Sequence, residues 1–80
     1  MNGWSKFNSS SLTDEALYWA DMVIDECKSG NIRNAAEAWG RAYAYGWILY
    51  RNYGIDLDEY PEYVNAREVY YGYGKEREGA

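Results

Sequence analysis

Apolar residues recur every three or four positions along most of this chain, the period of α-helices that bury one side. The first series is Ala16, Ala20, Val23, Ile24 and Cys27, flanked by Leu17 and Trp19. Thr13 precedes it as a candidate N-cap, Asp14 and Glu15 oppose the positive end of the helix dipole, and Gly30 follows as a stop. A first helix is therefore expected from Thr13 to about Lys28. A second, capped by Asn31, should run to Tyr53 before Gly54, on the order of 33 Å.

The second helix carries two apolar rows. Ile32, Ala36, Trp39, Tyr43, Gly46, Tyr50 and Tyr53 form one, and Ala35, Ala38, Ala42, Tyr45 and Leu49 lie beside it. Together they cover an arc of roughly 200°, wider than a surface helix needs, so this long helix is expected at the centre, contacted on two sides. Tyr43, Tyr50 and Tyr53 are expected in or near the core. Gly40 and Gly46 each cost about 1 kcal/mol relative to Ala inside a helix. The series Ala36, Gly40, Ala44 accordingly suggests a close neighbour on that face, with a hinge as the rival reading. Arg33, Glu37 and Arg41, four apart, read as surface ion pairs.

Asp58 can cap a third helix with Pro61 in its first turn, expected from about Glu59 to Tyr71 and ending at Gly72 and Gly74. The segment 1–12 reads as an irregular arm from which Trp4 and Phe7 tuck back, and 75–80 as a charged, fraying tail. No segment alternates with period two, although 69–73 could lie extended. The expected fold is all-α: a small three-helix bundle with a long central helix, in one domain spanning 1–80.

Composition then narrows the chemistry. Eighty residues lie near the lower limit for a single core, and Cys27, the only cysteine, allows no internal disulfide. Four Trp and ten Tyr must therefore supply much of the buried area, and so many phenols cannot all be buried with their hydroxyls satisfied. The lone Cys27, on the apolar face of the first helix, reads as a small core residue and suits the reducing cytoplasm. The N-terminal residues lack the apolar stretch of a signal peptide, and no segment approaches the length of a membrane span.

There is no histidine, which removes the commonest general base and metal ligand. No phosphate-cradling glycine motif follows a strand, and Asp56 and Asp58 lack the rest of a calcium loop. No catalytic residue, cofactor or metal is expected, and the chain reads as non-enzymatic. The net charge of −5 disfavours direct nucleic-acid binding and suits a basic partner.

Two clusters are candidates for partner contact. Asp14, Tyr18, Asp21 and Asp25 project within about 60° of each other on the first helix, opposite its core face, and span roughly 16 Å. Their carboxylates are spaced much like neighbouring backbone phosphates. The second cluster is Asp56, Asp58, Glu59, Tyr60, Glu62 and Tyr63, with Tyr71 as a further interface candidate. Charges on the outer face of a helix are ordinarily just solvated, but tyrosine among them is a rigid, amphipathic contact residue. Met22 and Ile48 fall on otherwise polar arcs.

Ala36-Glu37-Ala38-Trp39 resembles part of a tetratricopeptide repeat, but the Ala, aromatic and Pro positions that should follow are out of register. In size, acidity and lack of catalytic groups the chain is similar to small phage-encoded anti-defence proteins, anti-CRISPR proteins among them, that imitate phosphate charge. That analogy implies a larger protein or ribonucleoprotein with a basic surface as partner, and inhibition of a nucleic-acid-handling complex as outcome. The alternative expectation is a homodimer or larger assembly packed through the aromatic helix faces.

Overall fold

The computed structural model describes residues 9–79, with side chains described from Ser9 to Tyr73. The chain forms three α-helices and no strand among those residues: α1 (Ser9–Lys28), α2 (Ile32–Tyr53) and α3 (Pro61–Gly79), with a 3-10 turn at Leu57–Glu59 ahead of α3. This is an all-α bundle in which α2 is the longest helix. α1 packs extensively along both partners, whereas α2 and α3 meet sparsely.

Several ends differ from the sequence expectation. α1 begins at Ser9, so Thr13 lies inside the helix rather than at its cap. It is buried there, and its hydroxyl donates to the Ser9 carbonyl at 2.7 Å, which satisfies the group within its own turn. That shift brings Leu12 into the core. Asn31 occupies the N-cap position of α2 but makes no side-chain cap bond. Asp56, not Asp58, is the capping carboxylate of the final connection, accepting from the Asp58 N–H at 2.9 Å. α3 starts at Pro61, whose missing N–H is harmless in a first turn, and runs through Gly72 and Gly74 instead of stopping there. Trp4 and Phe7 lie outside the described residues.

The turn between α1 and α2 is closed by its backbone. Gly30 adopts φ 81°, its N–H donates to the Cys27 carbonyl at 3.1 Å, and the Asn31 N–H donates to Glu26 at 2.8 Å. This is a Schellman closure, which needs the left-handed conformation that glycine adopts without penalty. It folds α2 back antiparallel to α1 and lets Asn34 Nδ2 reach Glu26 Oε2 at 3.4 Å.

The seam between helices is built from small residues. Ala16, Ala20, Val23 and Cys27 of α1 share one core with Ala35, Ala38, Ala42 and Leu49 of α2 and Ala66 of α3, all essentially buried. On α2, therefore, the row through Ala35 and Leu49 faces inward. In the other row Trp39 is buried, but Tyr43, Tyr50 and Tyr53 are exposed, contrary to the core position expected of them. One row of α2 fills the space that α1 offers, and the short α3 contact covers only part of the second. Met22 and Ile48, on nominally polar arcs, pack against the core margin.

Ala36, Gly40 and Ala44 are all exposed, and a Cβ at Gly40 would meet nothing within 4 Å. No helix approaches there, so the close-packing expectation fails for that face. It holds at Gly46 instead, where a Cβ would lie 3.2 Å from Leu57 Cδ1 and 3.4 Å from the Tyr63 hydroxyl. Gly40→Ala should therefore raise stability by about 0.5–1 kcal/mol through helix propensity alone. Gly46→Ala should gain less or lose stability, because Leu57 and Tyr63 must move. Urea unfolding midpoints of the two variants check the contrast.

Candidate functional site

Rings that the small-residue seam excludes collect on one side of the molecule. Trp39, Tyr43 and Trp47 follow one another at four-residue spacing on α2, and their ring centroids are 6.1 and 6.4 Å apart in succession. Tyr50 extends the stripe by another turn. Trp39 is the hub: Tyr63, Tyr70 and Tyr71 of α3 lie 5.2, 6.1 and 6.0 Å from it. These tilted, stacked and edge-on contacts suit the ring quadrupole and join α2 to α3 where the helices otherwise meet sparsely. Trp39 and Tyr63 are 7% and 6% exposed, whereas Tyr43, Trp47, Tyr50 and Tyr71 are 48, 48, 61 and 52% exposed.

Between this stripe and the 3-10 turn lies an open groove of about 260 Å³. Tyr43, Trp47 and Tyr50 form one wall, Gly46, Leu57 and Tyr63 the floor, and Asp56, Asp58 and Arg67 the opposite edge. Gly46 has no side chain, so the Tyr63 ring and Leu57 can lie directly against α2. Arg67 Nη1 donates to Asp58 Oδ1 at 2.7 Å, forming the ion pair present among the described residues. Its guanidinium carbon also sits 6.0 Å from the Tyr63 ring centroid. Desolvation pushes the Tyr63 phenol above its ordinary range; nearby Arg67 opposes the rise, and Asp58, Tyr43 and Tyr71 add to it. The Asp58 hydrogen bond raises Arg67 further, outweighing its partial desolvation.

The acidic stripe of α1 is a separate surface. Asp14, Asp21 and Asp25 are exposed, and Tyr18 is 55% exposed with its ring edge-on to Trp19 at 5.2 Å. No residue of α1 lines the groove. The expected pairs among Arg33, Glu37 and Arg41 do not form; Arg41 instead lies over Trp19, 4.7 Å from its ring centroid.

The second acidic cluster is divided by the fold. Asp56, Asp58 and Tyr63 meet in the groove, while Glu59 and Glu62 are exposed outside its lining and Tyr60 is half-buried against the core margin. Tyr63, expected as an exposed contact, is a buried floor residue because the 3-10 turn and Gly46 enclose it. Tyr71 is exposed as expected and packs against Trp39. Sequence reasoning missed Tyr43, Trp47, Tyr50 and Arg67 as site residues. The helical spacing of Tyr43 and Tyr50 points equally to a core position, and Arg67 joins the site only through its contact with Asp58 of the turn.

Among the described residues no three His, Cys, Asp or Glu side chains converge to hold a metal ion. Cys27 is fully buried, and burial pushes its thiol upward, away from the reactive thiolate. No protein-family model, curated protein or solved structure matches the chain.

The raised Tyr63 pKa has a defined consequence for stability. The phenol ionises less readily folded than unfolded, where its value is near 10.0. Its contribution is therefore fully present below that pH and is lost as pH rises through the folded value. Stability should fall on going above pH 10, and Tyr63→Phe should reduce the slope of that fall. Denaturant titrations across the alkaline range, wild type against variant, measure the difference.

Proposed function

We propose that the chain is a non-enzymatic binding module that docks on a basic surface of a larger protein or ribonucleoprotein. The observation that carries this reading is the solvent-facing series Tyr43, Trp47 and Tyr50, edged by Asp56 and Asp58. Completing the burial of rings this large contributes on the order of 2 kcal/mol each. Half-exposed Trp and Tyr beside desolvatable polar groups are also the residues on which binding energy concentrates.

Charge supports the same reading. Every carboxylate with a described side chain is exposed except the half-buried Glu26, and only Asp58 among them is engaged in an ion pair. A net charge of −5 left largely unpaired accelerates encounter with a cationic surface and repels nucleic acid itself. The α1 stripe would stand where phosphates otherwise lie. The concrete form of the proposal is thus an inhibitor that occupies the nucleic-acid-binding surface of its target in the cytoplasm. It shares size, acidity and charge imitation with the anti-defence proteins named above. No helix among the described residues is long and apolar enough to cross a membrane.

The double variant Asp21→Lys and Asp25→Lys alters only exposed positions and should stay folded by circular dichroism. It should lose the basic proteins that the wild type retains from source lysate at low salt and releases at high salt, identified by mass spectrometry. Equal retention of those proteins by the variant would remove the phosphate-imitating role of the stripe.

A second reading draws on the same exposed rings, with two copies burying their α2 stripes against each other. Self-association of this kind would make the melting temperature rise with protein concentration. Sedimentation velocity over a wide dilution series separates the two, because the docking module sediments as a monomer throughout.

A further inference from the structure

We infer that the groove between α2 and the 3-10 turn is a receptor for one arginine side chain presented by the basic partner. The inference rests on the docking reading and names the chemistry of its central contact.

The walls favour a flat cation. Tyr43, Trp47 and Tyr50 line one side with exposed rings, and a guanidinium within about 6 Å of the face of such a ring is held by its quadrupole. The chain already uses this contact with its own arginines: Arg67 over Tyr63 at 6.0 Å, Arg51 over Trp47 at 5.9 Å and Arg41 over Trp19 at 4.7 Å. Arg51 reaches Trp47 on the flank shared with Ile48 and Asn52, outside the groove lining.

The floor offers an oxygen that can accept a hydrogen bond. Tyr63 lines that floor, with its hydroxyl lying over Gly46. A guanidinium N–H entering the groove would donate to that oxygen. Asp56 supplies the opposing charge, with one carboxylate oxygen accepting from the Asp58 N–H and the other available. Asp58 is already matched to Arg67 at 2.7 Å, so the resident cation is neutralised and Asp56 sets the local sign.

Size and hydration select among cations. A groove of about 260 Å³ admits one side chain, not a helix. Arginine fits better than lysine because its planar, weakly hydrated head stacks on rings and donates in several directions at once. Anions are disfavoured by both aspartates.

The test uses the full chain, ¹⁵N-labelled, with the Trp47 indole N–H resonance assigned through Trp47→Phe. N-acetyl-arginine methylamide is titrated against its neutral isostere, N-acetyl-citrulline methylamide. The arginine probe should shift the Trp47 indole saturably and the citrulline probe should not. Asp56→Asn, which retains a capping oxygen, and the exposed Tyr50→Ala should each weaken the arginine response by about fivefold. Equal response to both probes, no Trp47 response, or shifts confined to the α1 stripe would overturn the assignment. So would a Trp47 shift that follows protein concentration alone, which would give the face to a second copy. Partner capture unaffected by Asp56→Asn and Tyr50→Ala would sink the receptor and leave the docking module standing. Arginine binding without any salt-sensitive basic partner would do the reverse.

Discussion

Close packing of α1 against its neighbours through alanine is the constraint from which the rest of this structure follows. Ala16, Ala20, Ala35, Ala42 and Ala66 are fully buried, and interaxial distance depends on the side chains at the contact. A seam this thin leaves no room for an indole or a phenol between the helices. The large side chains are displaced to the margins, where they close the core from the side. In an eighty-residue chain that arrangement is economical, because alanine brings no side-chain entropy cost to the helix while the marginal rings bury part of their area.

Displacement does not leave the rings scattered. Trp39 lies where α2 and α3 converge and gathers Tyr43, Tyr63, Tyr70 and Tyr71 around it. The inner part of this cluster substitutes for the direct helix contact that α2 and α3 largely lack. Its outer part, from Tyr43 to Tyr50, stays exposed because the 3-10 turn closes through Leu57 against Gly46 and goes no further. Stabilising and exposed rings thus belong to one continuous array, and the groove lies at the boundary between them.

The charges follow a complementary logic. Arg41 and Arg51 lie on rings, and Arg67 lies on both a ring and Asp58, so part of the positive charge is held close to the aromatic surface. The carboxylates remain in water and mostly unpaired. Surface ion pairs contribute little to stability in any case, so this separation costs the fold little while giving the exterior a strong negative field. Such a surface suits association with cations, whether the α1 stripe or the groove makes first contact.

Periodicity alone determined that the chain is helical, how many helices it has and which face of α1 is buried, because Ala16, Ala20, Val23 and Cys27 repeat at helical spacing whatever packs on them. Gly30 and Gly54 likewise marked true ends, since positive φ at 81° and 67° is a local demand of the backbone. Gly72 failed as a marker because glycine can also be carried inside a helix. Tertiary structure decided which of the two apolar rows on α2 faced inward. Tyr43 and Leu49 are equally apolar in pattern, and only the narrow space beside α1 seats the small row and turns the phenols outward. It also decided that Tyr63 is a floor residue and Arg67 an edge residue, because their positions depend on a 3-10 turn meeting a glycine eleven residues earlier than Leu57. Short-range spacing records what a helix can bury; the shape of its neighbours determines what it does bury.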